Sequence, residues 1–279
     1  MSARIGIDVG STAVKVLAVR DGRPVQRLVE ATGADIARQC GRLLERLGIE
    51  GRLCATGYGR ELVPGAHLRV SEIMANAVGV GWLRRNWGSL EQVFGSAPVP
   101  ERLDGRIRTV IDVGGQDSKV ITFDDAGLVQ DFAMNDRCAA GTGRFLEVMA
   151  RALQVDLAGL DRLALAADEP ARLNSTCTVF AESEVVSLLA RGTPPERVAA
   201  GLFDSVAAQV AGLAEGCRWR PEVLLDGGPS HSAALRRAVG RRLDTRVLVP
   251  PCAQFATALG AALLAAEDQP EEGPVRPAG

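Results

Sequence analysis

The sequence contains the same motif twice, and this duplication constrains the fold more than any other feature. Residues 7–16 read IDVGSTAVKV and residues 111–120 read IDVGGQDSKV, 104 positions later. Each copy is an apolar run ending in Asp, then a turn of Gly and small polar residues, then a second apolar run, which is the pattern of a β-hairpin with a tight turn. Two copies predict two halves of similar fold that face one ligand.

The turns of the two copies have the chemistry of a phosphate site. Glycine lets backbone N–H groups approach an anion closely, and in each copy an aspartate, Asp8 or Asp112, ends the preceding strand. A divalent cation between carboxylate and phosphate best explains this arrangement, because the two anions would otherwise repel. The motif therefore predicts a nucleotide that binds with a divalent cation. A single copy would also fit an ordinary hairpin, so the prediction depends on the repetition.

Length, charge and cysteine content exclude several classes of protein. The 279 residues include 47% hydrophobic residues, enough for two cores, and a net charge of -2 gives no strong attraction to nucleic acid or anionic membranes. We find no uncharged apolar stretch of bilayer length and no signal-peptide segment, so we expect a cytoplasmic protein. Six scattered cysteines in a reducing compartment then point to burial or metal binding rather than to disulfides.

Periodicity predicts the same order of elements in both halves. In the first half we predict strands over 5–8, 13–20, 24–30 and 52–56, a helix over 34–47 and a helical segment over 72–83. In the second half we predict strands over 109–113, 118–123, 127–132, 223–226 and 246–249, and helices over 143–153, 178–190, 196–215, 231–242 and 253–266. Residues 86–106 are predicted to form an irregular excursion and 267–279 a disordered tail.

A plan of three strands and a helix that occurs twice, with a third Gly-Gly turn at 226–228, resembles the actin, hexokinase and Hsp70 ATPase superfamily. This resemblance implies an α/β protein with a duplicated actin-like (ribonuclease H-like) ATPase fold, in which two domains surround a nucleotide cleft. The first domain implied is 1–107, completed by the C-terminal helix 253–266. The second is 108–252.

The same resemblance assigns roles to the three turns. Asp8 and Asp112 hold Mg2+ directly or through water, and Gln116 positions the attacking water. The other nucleotide-binding residues implied are Gly10, Ser11, Thr12 and Lys15 in the first turn, Gly114 and Gly115 in the second, and Gly227 and Gly228 in the third. Asp226 and Pro229 flank that third pair where the family usually has an uncharged residue and Val, which leaves its nucleotide contacts open.

Cys138 and Cys177 differ from the other cysteines in their context. Each lies three residues after an Asn and shortly before a predicted helix, where the helix dipole and free N–H groups stabilise a thiolate and favour metal binding. A 4Fe-4S cluster takes four thiolates, which a twofold dimer of such chains supplies. The residues alone leave two alternatives open, small buried thiols and a zinc site, although zinc usually gathers CxxC pairs and none is present.

Residues 134–145, MNDRCAAGTGRF, and 175–185, STCTVFAESEV, closely resemble signatures of the 2-hydroxyacyl-CoA dehydratase activators, a family that includes ATPase subunits of benzoyl-CoA reductases. The resemblance extends from Ile5 to about Leu264. It implies a homodimer that shares one 4Fe-4S cluster held by Cys138 and Cys177 of each chain.

The activity implied by this resemblance is ATP hydrolysis coupled to the transfer of one low-potential electron. The implied partner is a 2-hydroxyacyl-CoA dehydratase or related acyl-CoA reductase, and the implied electron donor is reduced ferredoxin or flavodoxin. Helices that start at Gly143 and Thr178 would transmit the nucleotide state to the cluster. Two alternatives stay open: a small-molecule kinase of the amino-sugar type with the same fold, and a non-enzymatic, nucleotide-gated redox sensor. We expect the other four cysteines to be structural, with Cys217 and Cys252 buried.

Overall fold

The computed structural model of the protein describes residues 2–87, 107–135, 139, 141–173 and 178–266. These residues form two compact units. The first unit takes its described residues from 2–9, 13–79 and 257–266, and the second from 10–12 and 80–256. Each unit is built around one five-stranded sheet.

The sheet of the first unit has the order β3-β2-β1-β4-β5. Strands β1, β2 and β3 form an antiparallel meander, and β4 and β5 add to it in parallel. Its strands are β1 (Ala3–Val9), β2 (Ala13–Arg20), β3 (Arg23–Ala31), β4 (Gly51–Thr56) and β5 (Leu68–Arg69).

The sheet of the second unit has the order β10-β9-β6-β7-β8, which is the same arrangement of strands. Here β6, β7 and β8 form the antiparallel meander, while β9 and β10 add in parallel. Its strands are β6 (Thr109–Val113), β7 (Ser118–Phe123), β8 (Val129–Asn135), β9 (Val223–Asp226) and β10 (Val247–Leu248). The predicted duplication is confirmed at the level of strand order and direction.

Helices pack on these sheets or on one another. They are α1 (Ile36–Leu47), α2 (Glu72–Asn86), α3 (Gly143–Ala152), α4 (Leu157–Ala166), α5 (Thr178–Ala190), α6 (Pro195–Glu215), α7 (Ala233–Leu243) and α8 (Ala256–Leu264).

Helix α1 shows how the sequence sets these elements. The Asp35 side chain accepts a 3.1 Å hydrogen bond from the Arg38 N–H and so caps the first turn. Gly48 ends the helix in the left-handed conformation. Between the caps, Cys40, Leu43 and Leu47 are buried against apolar side chains of the sheet, such as those of Ile5, Ile7 and Val16.

Helix α6 is the central helix of the second core. It buries eleven of its 21 residues, mostly small apolar ones. By length and composition it is also a helix that could cross a bilayer. However, α6 is buried among side chains of β6, α3, α4 and α7. Its apolar composition is therefore that of a core helix.

The structure differs from the sequence-based prediction in several elements. Helix α4 and the short strand β5 were not predicted. Strand β8 begins at Val129 rather than Gly127, because Gly127 (φ 85°) closes a turn with Asp124. The predicted helices 231–242 and 253–266 each begin later, after 3-10 turns at Gly228–His231 and Ala253–Phe255. The excursion was predicted over 86–106, but Asn86 still belongs to α2. Residues 88–106 of the excursion and the predicted tail 267–279 lie outside the described residues.

Candidate functional site

The aspartates Asp8 and Asp112 are the last residue but one of the central strands of the two sheets, β1 and β6. In the first unit Asp8 is paired in register with Lys15 of β2 and with Thr56 of β4. In the second unit Asp112 is paired in register with Lys119 of β7 and with Asp226 of β9. Each aspartate is therefore flanked by a lysine on its antiparallel side.

The two oxygens of each aspartate have different surroundings. Lys15 Nζ lies 2.9 Å from Asp8 Oδ2, and Lys119 Nζ lies 3.4 Å from Asp112 Oδ2. The other oxygen, Oδ1, faces the glycine that follows the parallel neighbour strand. A Cβ on Gly57 would lie 2.6 Å from Asp8 Oδ1, and one on Gly227 would lie 2.7 Å from Asp112 Oδ1.

These two glycines have no room for a side chain. The same Cβ atoms would also lie 2.6 Å and 2.1 Å from the carbonyl oxygens of Val9 and Val113. Gly57 and Gly227 moreover have positive φ values of 89° and 84°, which L residues rarely adopt. In each unit, bare backbone therefore lies directly beside a strand-end carboxylate.

Each of these two carboxylates is chemically suited to Mg2+. Asp8 and Asp112 offer hard carboxylate oxygens, the ligands that Mg2+ takes in proteins. Among the described residues no group of three or more His, Cys, Asp or Glu side chains is placed to hold a metal by itself. A cation that arrives with nucleotide phosphates, takes a carboxylate or two and keeps several waters needs no such group.

The predicted phosphate-binding residues of the first turn are half-buried. The turn Gly10–Thr12 belongs to the second unit, where Thr12 Oγ1 would lie 1.8 Å from a Cβ on Gly115. Gly115 is therefore required by close packing against Thr12.

The second turn is closed by its own backbone. The Gly114 N–H donates to the Asp117 carbonyl oxygen at 2.9 Å, and between them Gln116 is exposed. An exposed amide at the tip of this turn is free to contact a bound molecule or water, as its predicted role requires.

Three hydrogen bonds connect this turn to the residues around the start of α3. The N–H groups of Gly143 and Arg144 donate to the carbonyl oxygens of Gly114 and Gly115 at 2.9 and 2.8 Å. Ser118 Oγ donates to the Gly141 carbonyl oxygen at 2.7 Å. A displacement of the turn must therefore move the N-terminus of α3 or break these bonds.

The third turn, which follows β9, contains the two residues that depart from the family pattern. Asp226 is 1% exposed and lies beside Asp112 on the neighbouring strand. A Cβ on Gly143, the first residue of α3, would lie 2.9 Å from Pro229 Cγ. Pro229 thus packs against α3. Gly227 and Gly228 lie where β9 passes into a 3-10 turn, whose Ser230 Oγ donates to the Gly227 carbonyl oxygen at 2.7 Å.

The predicted metal ligands Cys138 and Cys177 lie outside the described residues. The helices predicted to follow them are confirmed, since α3 begins at Gly143 and α5 at Thr178. The other four cysteines, Cys40, Cys54, Cys217 and Cys252, are buried and are not in disulfides. Burial raises the pKa of Cys54 to about 12 and also raises the pKa values of Cys40 and Cys217, so these thiols are poor nucleophiles and poor metal ligands.

Sequence reasoning assigned no role to two charged residues of the second unit, Asp117 and Lys119. It also did not predict that Asp226 lies beside Asp112. Lys119 contacts the carboxylates of both Asp112 and Asp117. The repeat itself carried the signal, because Lys119 occupies in the second copy the position that Lys15 occupies in the first.

Comparison with known proteins agrees with this geometry. Residues 99–265 match the model of the BadF/BadG/BcrA/BcrD ATPase family. The activator of lactoyl-CoA dehydratase from Anaerotignum propionicum is 40% identical over 271 residues, which cover 94% of this chain and 97% of the relative.

Two solved structures have the same fold over nearly the whole chain. The activator of the 2-hydroxyisocaproyl-CoA dehydratase from Clostridium difficile, solved with bound ADPNP, has a TM-score of 0.81 at 35% identity and 94% coverage of both chains. Component A of the Acidaminococcus fermentans (R)-2-hydroxyglutaryl-CoA dehydratase has a TM-score of 0.81 at 38% identity, with 95% and 97% coverage. The predicted duplicated actin-like fold is confirmed, and the chain belongs to the BadF/BadG/BcrA/BcrD ATPase family.

Proposed function

We propose that this chain is an ATP-dependent activator of a 2-hydroxyacyl-CoA dehydratase or a related acyl-CoA or benzoyl-CoA reductase, and that it couples ATP hydrolysis to the transfer of one electron. Relatives of 35 to 40% identity that span nearly the whole chain are named as activators of such dehydratases. A more distant relative from Thauera aromatica, 28% identical, is named as one of the subunits of benzoyl-CoA reductase.

The chain's own residues support the hydrolysis step. Asp8 and Asp112 each have an oxygen beside a bare glycine turn and would hold the Mg2+ of ATP directly or through water. Lys15 and the N–H groups of the first turn would bind the phosphates. Gln116, exposed at the tip of the second turn, would orient the attacking water.

The electron would be carried by a 4Fe-4S cluster, which supplies a one-electron redox centre when bound. Cys138 and Cys177 would provide two thiolates per chain, and a homodimer would complete the set of four. Each of these cysteines precedes the N-terminus of a helix, α3 or α5, whose dipole offsets negative charge. A reduced ferredoxin or flavodoxin would supply the electron.

The connection between the second turn and α3 is the observation that carries this proposal. Three hydrogen bonds join residues 114, 115 and 118 to residues 141, 143 and 144. Cys138 lies three residues before this bonded segment. Exchange of ATP for ADP at the turn would thereby favour a different position of α3 and change the surroundings of Cys138.

The test is the iron content of protein purified without oxygen. We expect about four irons and four sulfides per dimer in the wild type, loss of both in Cys138→Ser and Cys177→Ser, and retention in Cys217→Ala, in which a buried cysteine is replaced. A wild-type protein that stays iron-free after reconstitution, yet hydrolyses ATP, would refute the electron-transfer part of the proposal and direct the search to a phosphoryl acceptor.

A further inference from the structure

The chain contains two lysines among its 32 basic residues, and both occupy the same position of the repeated motif. Lys15 is the ninth residue of the first copy and Lys119 the ninth residue of the second. All 30 other basic residues, in both halves of the chain, are arginines. A sequence that otherwise uses arginine throughout has an ammonium group at these two positions, which indicates a requirement that a guanidinium does not meet.

The surroundings of Lys119 explain this requirement. Its side chain is 2% exposed, and its Nζ contacts carboxylate oxygens of both Asp112 and Asp117. An ammonium is a compact point charge that fits between two carboxylates, whereas a guanidinium is a larger planar fork. Removal of one charge from such a buried cluster leaves the others uncompensated.

The two lysines differ in access to a ligand. The Lys15 side chain is 18% exposed, and its Nζ lies 2.9 Å from Asp8 Oδ2. It remains accessible to a phosphate group. Lys119 is enclosed and lies between two acids, so its charge acts on those acids rather than on a bound anion.

Through these contacts Lys119 connects two parts of the candidate site in the second unit, Asp112 and the turn around Gln116. It contacts Oδ2 of Asp112, whose Oδ1 faces Gly227. It also contacts Asp117, whose carbonyl oxygen accepts the hydrogen bond that closes the turn around Gln116. One buried ammonium thus restrains both the carboxylate predicted to hold the metal and the turn predicted to position water.

We infer that Lys119 is a positioning residue for ATP hydrolysis, which fixes Asp112 with Oδ1 toward the nucleotide site and fixes the Gln116 turn through Asp117. This inference rests on the proposed ATPase function. It assigns different roles to two lysines that the repeat makes equivalent, since the partly exposed Lys15 would bind phosphate, whereas the enclosed Lys119 holds two protein carboxylates.

The test compares Lys119→Met with Lys15→Met, because Met is unbranched like Lys, fills most of the same volume and carries no charge. We expect kcat for ATP hydrolysis to fall about ten-fold or more in Lys119→Met. Its affinity for ADP in EDTA should stay within about two-fold of wild type, whereas Lys15→Met should lose ADP affinity. Mn2+ alone, followed by electron paramagnetic resonance, should bind more tightly to Lys119→Met, because two carboxylates lose their counter-ion.

A second variant, Lys119→Arg, keeps the charge and tests the need for an ammonium even if Lys119→Met does not fold. We expect its kcat for ATP hydrolysis to fall as much as that of Lys119→Met. A wild-type kcat in either variant, or a loss of metal-free ADP affinity in a folded Lys119→Met equal to that in Lys15→Met, would overturn the inference. A wild type that neither binds ADP nor hydrolyses ATP would instead refute the proposed function, so the two failures are distinguishable.

Discussion

Ser118 Oγ donates a 2.7 Å hydrogen bond to the carbonyl oxygen of Gly141 and so joins the first residue of β7 to the segment that leads into α3. Both the serine hydroxyl and the acceptor are buried. Two backbone N–H groups at the start of α3 also donate hydrogen bonds to the second turn. We propose that these three hydrogen bonds carry the nucleotide signal, and that of Ser118 is the one made by a side chain.

We predict that Ser118→Ala weakens this coupling. The lost hydrogen bond should lower the free energy of unfolding by about 1–3 kcal/mol. ATP hydrolysis should continue, while dehydratase activation per ATP falls by about five-fold or more. The control is Thr122→Val, which removes another hydroxyl bond of β7, that from Thr122 Oγ1 to the Asp131 carbonyl oxygen, but does not touch the α3 segment. Equal loss of activation in both variants would contradict the assignment.

Alanine at Gly57 or Gly227 should weaken nucleotide binding. Either Cβ would lie under 3 Å from a strand-end carboxylate and from a carbonyl oxygen, on backbone with positive φ. We expect ADP affinity, measured by calorimetry, to fall by about ten-fold or more, because strain of about 1–3 kcal/mol must be relieved by moving the turn. Gly22→Ala is the matched control, since Gly22 also has positive φ but no atom within 4 Å of the added Cβ. It should cost stability and leave ADP affinity unchanged.

Gly260→Ala should destabilise the first unit strongly. The added Cβ on α8 would lie 1.6 Å from the Ala75 carbonyl oxygen of α2, a backbone atom that cannot rotate away. We expect a loss of about 3 kcal/mol or more in the free energy of unfolding, as for severe overpacking. Gly41→Ala in α1, where nothing lies within 4 Å, should instead stabilise the protein by up to about 1 kcal/mol. Thermal and denaturant unfolding of both variants would decide the point.

Cysteine reactivity should separate the proposed cluster ligands from the structural thiols. Cys40, Cys54, Cys217 and Cys252 are buried, and the pKa of Cys54 is raised to about 12, so very little thiolate exists there at pH 8. We expect an alkylating reagent to label two thiols per chain in native protein stripped of iron, and all six in denaturant. Peptide mapping should place the two at Cys138 and Cys177; rapid labelling of Cys54 in folded protein would be the contrary result.

The sequence was sufficient to predict the fold because the repeat and the strand patterns are local signals. The strands β1, β2, β6 and β7 and the aspartates at two of their ends follow directly from the alternation of apolar runs and turns. Helix α4 was missed although its Asp156 caps it by accepting the Gly159 N–H at 2.6 Å. Gly159 in its first turn and the shortness of its apolar run weaken the helical pattern of the sequence. The helix is stabilised instead by packing on α6.

The charged surroundings of the site were harder to predict. The position of Asp226 beside Asp112 depends on the parallel pairing of β9 with β6, which are separated by more than 100 residues. The contact of Lys119 with Asp117 depends on the shape of a turn, which the hydrophobic periodicity of the sequence does not report. No sequence pattern reports which of two equivalent lysines becomes enclosed. Pairing across the sheet and side-chain burial decide these features.

The packing of α8 has a consequence for the order in which the chain folds during synthesis. Gly6 of β1 lies so close to α8 that a Cβ there would come within 2.0 Å of the Ala258 carbonyl oxygen, and Ala261 and Leu264 of α8 share a core with Cys54 of β4. Strand β1 thus emerges from the ribosome long before α8, and its sheet is covered only once α8 has been made. The residues of the second unit have all been synthesised by then. We therefore expect the amino-terminal sheet to be completed last, opposite to the order in which a ribosome normally releases domains.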